Sequence, residues 1–360
     1  MPLKKILVPV LLGANIATII AMMLVGYADR LSPIHFPRLT NIGLGFPVIL
    51  SVNLGFLFLW TIFHTKKCWI PFLGFLLVYP PLKTYLPLNL LSDVPPDAIK
   101  VLSYNVWSYA GWNDHGRPNP ILRYLAEQRA DILCLQEAAT NEVGAEKIDS
   151  VMNKIYPYSE SSNIPDGSDR MVVYSRFPIL QKKTIEYASA GNHSAAFYLK
   201  IGHDTVIVIN NHLETTGLSQ KDKDSFKSLV KGNVPGDSVE IVSEKLINKL
   251  AKASKIRALQ AEAVARFIEQ HRDKSMIVCG DFNDGPNSYT RHTIAKGLRD
   301  CYVETGNGPG ISYHLGGFYV RIDHILCSDD WIPYGCRVDR SISTSDHYPI
   351  YCWMKRQPKP

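Results

Sequence analysis

An apolar run, Met276-Ile277-Val278-Cys279, ends in Gly280 and then delivers Asp281 and Asn283 two residues apart. On a strand, residues i and i+2 point to the same face. A carboxylate and a carboxamide therefore emerge side by side at the end of a buried strand. Such a pair suits a hydrated cation or a phosphoryl group, which need oxygen ligands and polarised donors. The same residues also read as a strand running into an Asx turn, because Asn283-Asp284-Gly285-Pro286 is strong turn sequence. Taken alone, the pair leaves both readings open.

Five further polar groups sit beside apolar runs. Asn105 follows Val101-Leu-Ser-Tyr, Glu137 follows Ile132-Leu-Cys-Leu-Gln, and His212 follows Val206-Ile-Val-Ile-Asn-Asn. Asp346 and His347 precede Tyr348-Pro-Ile, and Asp323 lies within Arg321-Ile-Asp-His-Ile-Leu. A single histidine at a strand end is usually a satisfied core residue. Polar groups placed repeatedly at strand ends, on what would be one edge of a sandwich, read as a site.

The elements that must position them follow from periodicity. Strands are expected at Ile99–Val106, Ile132–Gln136, Met171–Tyr174, Ala195–Ile201, Thr205–His212, Met276–Gly280, Arg321–Cys327 and Ile350–Met354. Helices are expected at Pro118–Gln128 and from about Val239 to His271, where Ile241, Leu246, Ile247, Leu250, Leu259, Val264, Phe267 and Ile268 leave a broken apolar stripe. Many strands with few helices between them predict a layered α/β sandwich. The Lys-rich segment Ser219–Lys255 reads as a solvated loop and helix face. Cys134 and Cys279 read as core, while Cys301, Cys327, Cys336 and Cys352 could pair in an oxidising compartment.

The N-terminal part is of a different kind. Ile6–Ala28 and Asn41–Phe63 are uncharged apolar runs long enough to span a bilayer. Trp69–Leu91 is a third candidate, interrupted by Pro71, Pro80, Pro81 and Pro87, with Lys83 left to snorkel. The expected division is a membrane anchor at 1–95 with two to three transmembrane helices, and a catalytic domain at 96–360. Lys4, Lys5, Lys66 and Lys67 flank the first two spans and place those ends in the cytoplasm. A third span would carry the larger domain to the extracytoplasmic side of the cell's inner membrane; an interfacial segment would leave it inside. Of 39 Lys and Arg and 33 Asp and Glu, residues 1–95 hold seven and two, so that segment is +5 and the remainder +1. The larger part thus lacks the electrostatic excess that non-specific DNA binding uses.

From about residue 98 to 354 the chain resembles the endonuclease/exonuclease/phosphatase (DNase I-like) superfamily. The matching motifs are LSYNVW (102–107), LCLQEA (133–138), SRFPI (175–179), NNHLET (210–215), GDFND (280–284), RIDHIL (321–326) and SDHYPI (345–350), in order and spacing. The resemblance implies a two-sheet α/β sandwich with its site at one end of the sheets. It implies that Glu137 binds a divalent metal, Mg²⁺ with Mn²⁺ as the other candidate, that Asn105 lies nearby, and that Asp346 supports the metal site. It implies that Asp281 orients or deprotonates the attacking water, that Asn283 holds phosphate or water, and that His212 donates to a phosphoryl oxygen. Asp323 would pair with His347.

His212 stands where abasic-site endonucleases carry a Tyr-containing motif, so this chain is similar to the sphingomyelinase, phosphatase and DNase I branches. Arg170 could reach an anionic substrate or form a structural ion pair with Asp169 or another acid. With apolar segments ahead of it, the architecture resembles membrane-anchored bacterial members, some linked to lipid-pyrophosphate dephosphorylation. The expected substrate is a lipid-linked or membrane-proximal phosphate ester, to which tethering at the bilayer gives a high effective concentration. A membrane-anchored nuclease acting on DNA or RNA is the alternative. Specificity is expected in the segments Thr215–Val239 and Gly306–Phe318.

Overall fold

The computed structural model describes residues 2–114, 118–164, 169–189 and 191–357. The chain opens with four helices, α1 (Pro2–Gly26), α2 (Phe46–Phe63), α3 (Trp69–Leu77) and α4 (Tyr79–Tyr85). Then follow β1 (Ile99–Asn105), α5 (Pro120–Gln128), β2 (Ile132–Gln136), α6 (Ala145–Met152), β3 (Tyr158–Asn163), β4 (Arg170–Ser175), β5 (Ile179–Ile185) and β6 (Ser194–Ile201). The remainder is β7 (Asp204–His212), α7 (Gln220–Val230), α8 (Gly236–Gln270), β8 (Ser275–Asp281), α9 (Tyr289–Ile294), β9 (Arg299–Asp300), α10 (Cys301–Thr305), β10 (Asp323–Cys327), β11 (Trp331–Val338) and β12 (Ile350–Arg356).

The strands form two six-stranded mixed sheets, β11-β12-β1-β2-β4-β3 and β5-β6-β7-β8-β10-β9. The expected α/β sandwich is therefore present. Each sheet has one parallel pair, β1 with β2 and β7 with β8, flanked by antiparallel partners. Alternation sorts the side chains. Val101, Ile132, Cys134 and Val173 of one sheet meet Phe197, Val208, Ile277, Cys279 and Ile325 of the other in the central core. Leu102, Tyr104, Leu133 and Leu135 point the opposite way, under Ile121 and Leu125 of α5 and Ile148 of α6. Ile207, Ile209, Met276 and Val278 pack under Ala261, Val264, Phe267 and Ile268 of α8.

The stripe expected on α8 is only partly the buried face. Ile241, Ile247 and Leu259 are exposed, while Ala251, Ala258 and Ala261 are buried. Small side chains let α8 approach its neighbours closely, and a reading by large apolar residues passes over them. All seven cysteines are free thiols; the sulfurs of Cys301 and Cys327 lie 3.7 Å apart in the core.

Two helical segments, Ile6–Arg30 and Thr40–Phe63, are long and apolar enough to cross a membrane. Beside a buried cluster of Met22, Phe46 and Val78, they turn many large apolar side chains outward. Val10, Ile20, Leu24, Val48, Phe58 and Ile62 are exposed, whereas Asn15 and Asn53 are fully buried. Asn15 Nδ2 donates to Asn53 Oδ1 at 3.1 Å, and Trp60 Nε1 donates to Asn15 Oδ1 at 3.0 Å. Asn53 Nδ2 donates to the Pro71 carbonyl at 3.0 Å, which brings α3 into the cluster. Amide side chains linking helices inside an apolar exterior suit a lipid surrounding.

The third apolar segment is not one helix over Trp69–Leu91. It breaks at Val78, with φ −109° and ψ 22°, just ahead of Pro80 and Pro81, and no helix continues past Tyr85. Proline lacks an amide hydrogen and disfavours helical geometry in the residue before it. The broken segment still runs back along the other two. Gly74 lies against Ile19 and Asn53, Val78 against Met22 and Phe46, and Pro81 against Gly26.

That return brings α4 and the connection between α1 and α2 onto the sandwich. Asn287 Nδ2 donates to the Pro81 carbonyl at 3.2 Å, and Ser254 Oγ donates to Asn41 Oδ1 at 3.0 Å. His292 Nδ1 lies 3.2 Å from Asp29 Oδ2. Further along, Gly308 N donates to the Pro87 carbonyl at 2.9 Å and Asn89 Nδ2 to the Gly306 carbonyl at 2.6 Å. Arg321 is buried; its guanidinium donates to the carbonyls of Thr84 and Pro309 and lies over the Tyr302 ring.

Candidate active site

Strand register gathers the site. Asn105, Glu137, His212 and Asp281 stand at the C-terminal ends of the four parallel strands β1, β2, β7 and β8, while Asp323 begins the antiparallel β10. His212 pairs in register with Asp281, and Asp281 with Asp323. Asp346 and His347 enter ahead of β12, and Asp169 directly ahead of β4. One end of both sheets thus carries every group, at the edge where a sandwich leaves its interior open.

Backbone geometry there admits few alternatives. Gly280 has φ +127°, and a Cβ on it would lie 2.0 Å from the Asn211 carbonyl oxygen, so glycine is required before Asp281. Glu137 and Asn283 both adopt left-handed backbone, with φ 49° and 52°. Non-glycine residues held there cost of order 1–3 kcal/mol and cluster at functional sites. A layer of buried amides ties the sheets together beneath: Gln136 Nε2 donates to Asn210 Oδ1 at 2.6 Å, and Asn210 Nδ2 to the Leu135 carbonyl at 3.0 Å.

Asp281 is the centre of the site. Its Oδ1 accepts from the Asn283 backbone at 2.8 Å, and its Oδ2 accepts from Asn105 Nδ2 at 3.1 Å. Nε2 of His347 lies 3.5 Å and Nε2 of His212 3.8 Å from that same Oδ2. Each imidazole has a carboxylate behind it: His347 Nδ1 hydrogen-bonds Asp323 Oδ2 at 2.9 Å, while His212 Nδ1 lies 3.0 Å from Asp169 Oδ1 and 3.1 Å from Asn192 Nδ2. The other Asp169 oxygen takes His193 Nδ1 at 3.1 Å.

The charges follow from this packing. Burial disfavours both imidazolium ions, yet the carboxylates behind them outweigh it and push His212 and His347 up to about 10. Burial and the nearby Asp323 push Asp281 up to about 6, against the lowering effect of the two histidines. Asp169 is buried as well, but His212 and His193 hold its carboxyl far below the ordinary range.

Glu137 lies beside this centre. Its Oε1 accepts from Asn105 Nδ2 at 3.0 Å and lies 3.5 Å from His212 Nε2. Its side chain keeps 35% exposure, against 1% for Asp281 and Asp323. Burial raises the pKa of Asp346, and the negative charge of Glu137 adds to the rise. Two carboxylates repelling one another at an open edge are what a divalent cation neutralises, so Glu137 and Asp346 fit such an ion. Asn105 turns its amide nitrogen to the carboxylates, since its Oδ1 accepts from the Trp107 backbone at 3.1 Å. Asp281, Asp323 and His347 also offer ligand atoms within 4.8 Å of one another and could hold a cation. The bond from His347 Nδ1 to Asp323 Oδ2 leaves His347 Nε2 and Asp323 Oδ1, which has no hydrogen-bond partner among the described residues, free for that role.

Two residues have other engagements than the sequence suggests. Asn283 Nδ2 donates to the Leu213 carbonyl at 2.9 Å. Arg170 Nη1 donates to the Ala138 carbonyl at 3.1 Å, and Asp169 pairs with histidines instead of with Arg170. Sequence reasoning offered Asp169 only as an ion-pair partner of Arg170, because no apolar run leads into it. It passed over Tyr313, whose ring lies 5.1 Å from that of His347, and Lys223, whose Nζ donates to Tyr313 Oη at 2.7 Å. Lys223 is thus not part of a purely solvated face.

The Endonuclease/Exonuclease/phosphatase family matches residues 102–347, most of the chain, and the protein belongs to that family. Residues 4–85 match a domain of unknown function (DUF8431). No curated protein matches the chain. Similar solved structures include the human nocturnin catalytic domain with bound sulfate, 14% identical, covering 74% of this chain and 97% of that one, with a TM-score of 0.49. A second is an endonuclease/exonuclease/phosphatase from Beutenbergia cavernae, 15% identical, covering 72% of each chain, with a TM-score of 0.49. A third is truncated TDP2 from Caenorhabditis elegans, 16% identical, covering 73% of this chain and 99% of that one, with a TM-score of 0.44.

Proposed function

We propose that this chain is a divalent-metal-dependent hydrolase of phosphoric esters that acts on a lipid-linked or membrane-proximal substrate. The observation that carries the chemistry is the meeting of two carboxylate-backed imidazoles at Asp281 Oδ2, with Glu137 alongside. Asp281 accepts a proton from the attacking water. His347, held by Asp323, and His212, backed by Asp169, donate hydrogen bonds to phosphoryl oxygens as negative charge builds there. As the ester P–O bond breaks, one of these imidazoliums passes its proton to the departing oxygen. A divalent cation on Glu137 and Asp346, Mg²⁺ or Mn²⁺, would offset charge on the phosphoryl group.

The membrane part of the reading rests on α1 and α2 and on the docking of the sandwich against them. The docked side is that of the connection between α1 and α2, which flanking lysines place outside the cytoplasm. The larger unit is then extracytoplasmic on a multi-pass inner-membrane anchor. The test is a substrate panel on the full chain in lipid nanodiscs, with and without added Mg²⁺ or Mn²⁺, because residues 81–89 contribute contacts that a 96–360 fragment lacks. Release of phosphate or headgroup from lipid-linked esters is expected. Rapid cleavage of DNA or RNA with no action on lipid phosphates would replace this reading with a membrane-anchored nuclease. A reporter fused at Pro360 checks the side.

A further inference from the structure

The two segments expected to set specificity meet at the rim of the site. Helix α7 begins with a capping box between Ser219 and Asp222. Asp222 is buried and anchors the helix to α8 through Lys245, at 3.0 Å, and Lys249. The other face of α7 packs on the loop after α10. Phe226 stacks on Phe318 with centroids 4.7 Å apart. Gly316, at φ +72°, lies so close that a Cβ there would meet Lys223 Cδ at 2.7 Å.

This packing brings Lys223 to Tyr313. Its Nζ lies 2.7 Å from Tyr313 Oη, and Tyr313 bridges to the His347 backbone. Among the described residues, Lys245 and Lys249 have a carboxylate within ion-pair distance, and Lys223 has none. An ammonium without a carboxylate within ion-pair distance, held by the phenol whose ring packs on His347, is placed to take an anion. A phenol that accepts from an ammonium is also a stronger donor through its own hydrogen.

We propose that Lys223 and Tyr313 bind a second anionic group of the substrate, next to the phosphate that reacts. The inference deepens the reading of the site as a phosphoric-ester hydrolase and rests on it. It selects esters with a further negative charge close to the scissile phosphorus over singly charged ones. Such a charge can come from the second phosphate of a diphosphate ester or from the neighbouring phosphodiester of a polynucleotide.

The test has a binding arm and a kinetic arm on the full chain in nanodiscs. In calorimetry with Mg²⁺, inorganic diphosphate is expected to bind at least about tenfold tighter than orthophosphate, a charge-assisted contact of about 1.4 kcal/mol. Lys223→Gln should erase that preference, Lys223→Arg should keep most of it, and Lys231→Gln, at the exposed end of α7, should keep all of it. Equal binding of the two anions by the wild type, or a preference that survives Lys223→Gln, overturns the proposal even if the enzyme hydrolyses esters. In the kinetic arm, a long-chain alkyl diphosphate, a trinucleotide and a singly charged aryl phosphodiester are compared. The proposal expects Lys223→Gln to raise KM for one of the first two at least about tenfold more than for the third, and which one identifies the source. Equal changes for all three overturn it. Absence of turnover would overturn the hydrolase reading, while the binding arm would still decide whether Lys223 holds a second anion.

Discussion

His212 and His347 approach the same oxygen, Asp281 Oδ2, from two strand ends, at 3.8 and 3.5 Å. Each turns its other nitrogen to its own aspartate, Asp169 or Asp323. The hydrogen bond to Asp323 fixes the orientation of the His347 ring, and the charge of Asp169 stands behind that of His212. The geometry sets one carboxylate oxygen between two imidazoles, an arrangement that the proposed general acid–base roles would use.

Loss of either member of one such pair should cost nearly the same. His347→Ala is expected to lower kcat by about 10² to 10⁴, the range of a lost general acid or base, with KM changed little. Asp323→Ala should fall by a comparable factor, because the ring it orients then turns or deprotonates. The double variant should be hardly slower than His347→Ala alone, since the two residues act as a unit. Steady-state kinetics on one small ester checks this; multiplied penalties would mean that Asp323 acts apart from His347.

Activity should decline on the acid side with an apparent pKa near that of Asp281, which burial pushes up to about 6. In the proposed mechanism Asp281 activates water as the carboxylate, so kcat/KM is expected to drop as pH falls through that value. A profile of kcat/KM from pH 4.5 to 8 tests it. A bound cation near Glu137 would move the limb to lower pH, never to higher, because positive charge favours the ionised form.

Stability without metal should respond to pH in the opposite region. Both histidines are held at about 10 when folded, against an ordinary value of 6.5. A raised folded pKa contributes its stabilisation fully below 6.5 and loses it as pH rises through 10. The melting temperature of chelator-treated protein is therefore expected to fall between pH 7 and 10. Asp323→Asn removes the partner of His347 and should flatten that slope. A slope unchanged in this variant would assign it to other groups.

How much of this was legible in the sequence depended on where each residue lies. Strands inside the sheets, such as β2 and β8, carry apolar runs and could be read directly. Edge strands could not. β3 is Tyr-Ser-Glu-Ser-Ser-Asn, β5 carries Lys182 and Lys183, and β11 contains Pro333 and Gly335. Edges face water, so they lack the apolar signal and tolerate proline. The same logic divides the site. Asn105, Glu137, His212 and Asp281 end buried strands, so an apolar run announces each. Asp169, Lys223 and Tyr313 gain their partners only through tertiary packing, which local pattern does not record.

The last prediction concerns Arg321, two residues ahead of Asp323. Its guanidinium is buried and donates to Thr84 of the N-terminal segment and to Pro309. Replacing it by leucine leaves two half-buried carbonyls without this donor, at a cost of up to about 1–3 kcal/mol for each. In the full chain, Arg321→Leu should lower the denaturant midpoint and reduce kcat through a less fixed Asp323. In a 96–360 fragment the Thr84 partner is gone, so the same substitution should cost less. The difference between the two contexts measures how far the N-terminal helices complete the catalytic unit. Equal costs in the full chain and the fragment would mean that those helices serve only as a tether, with the sandwich complete on its own.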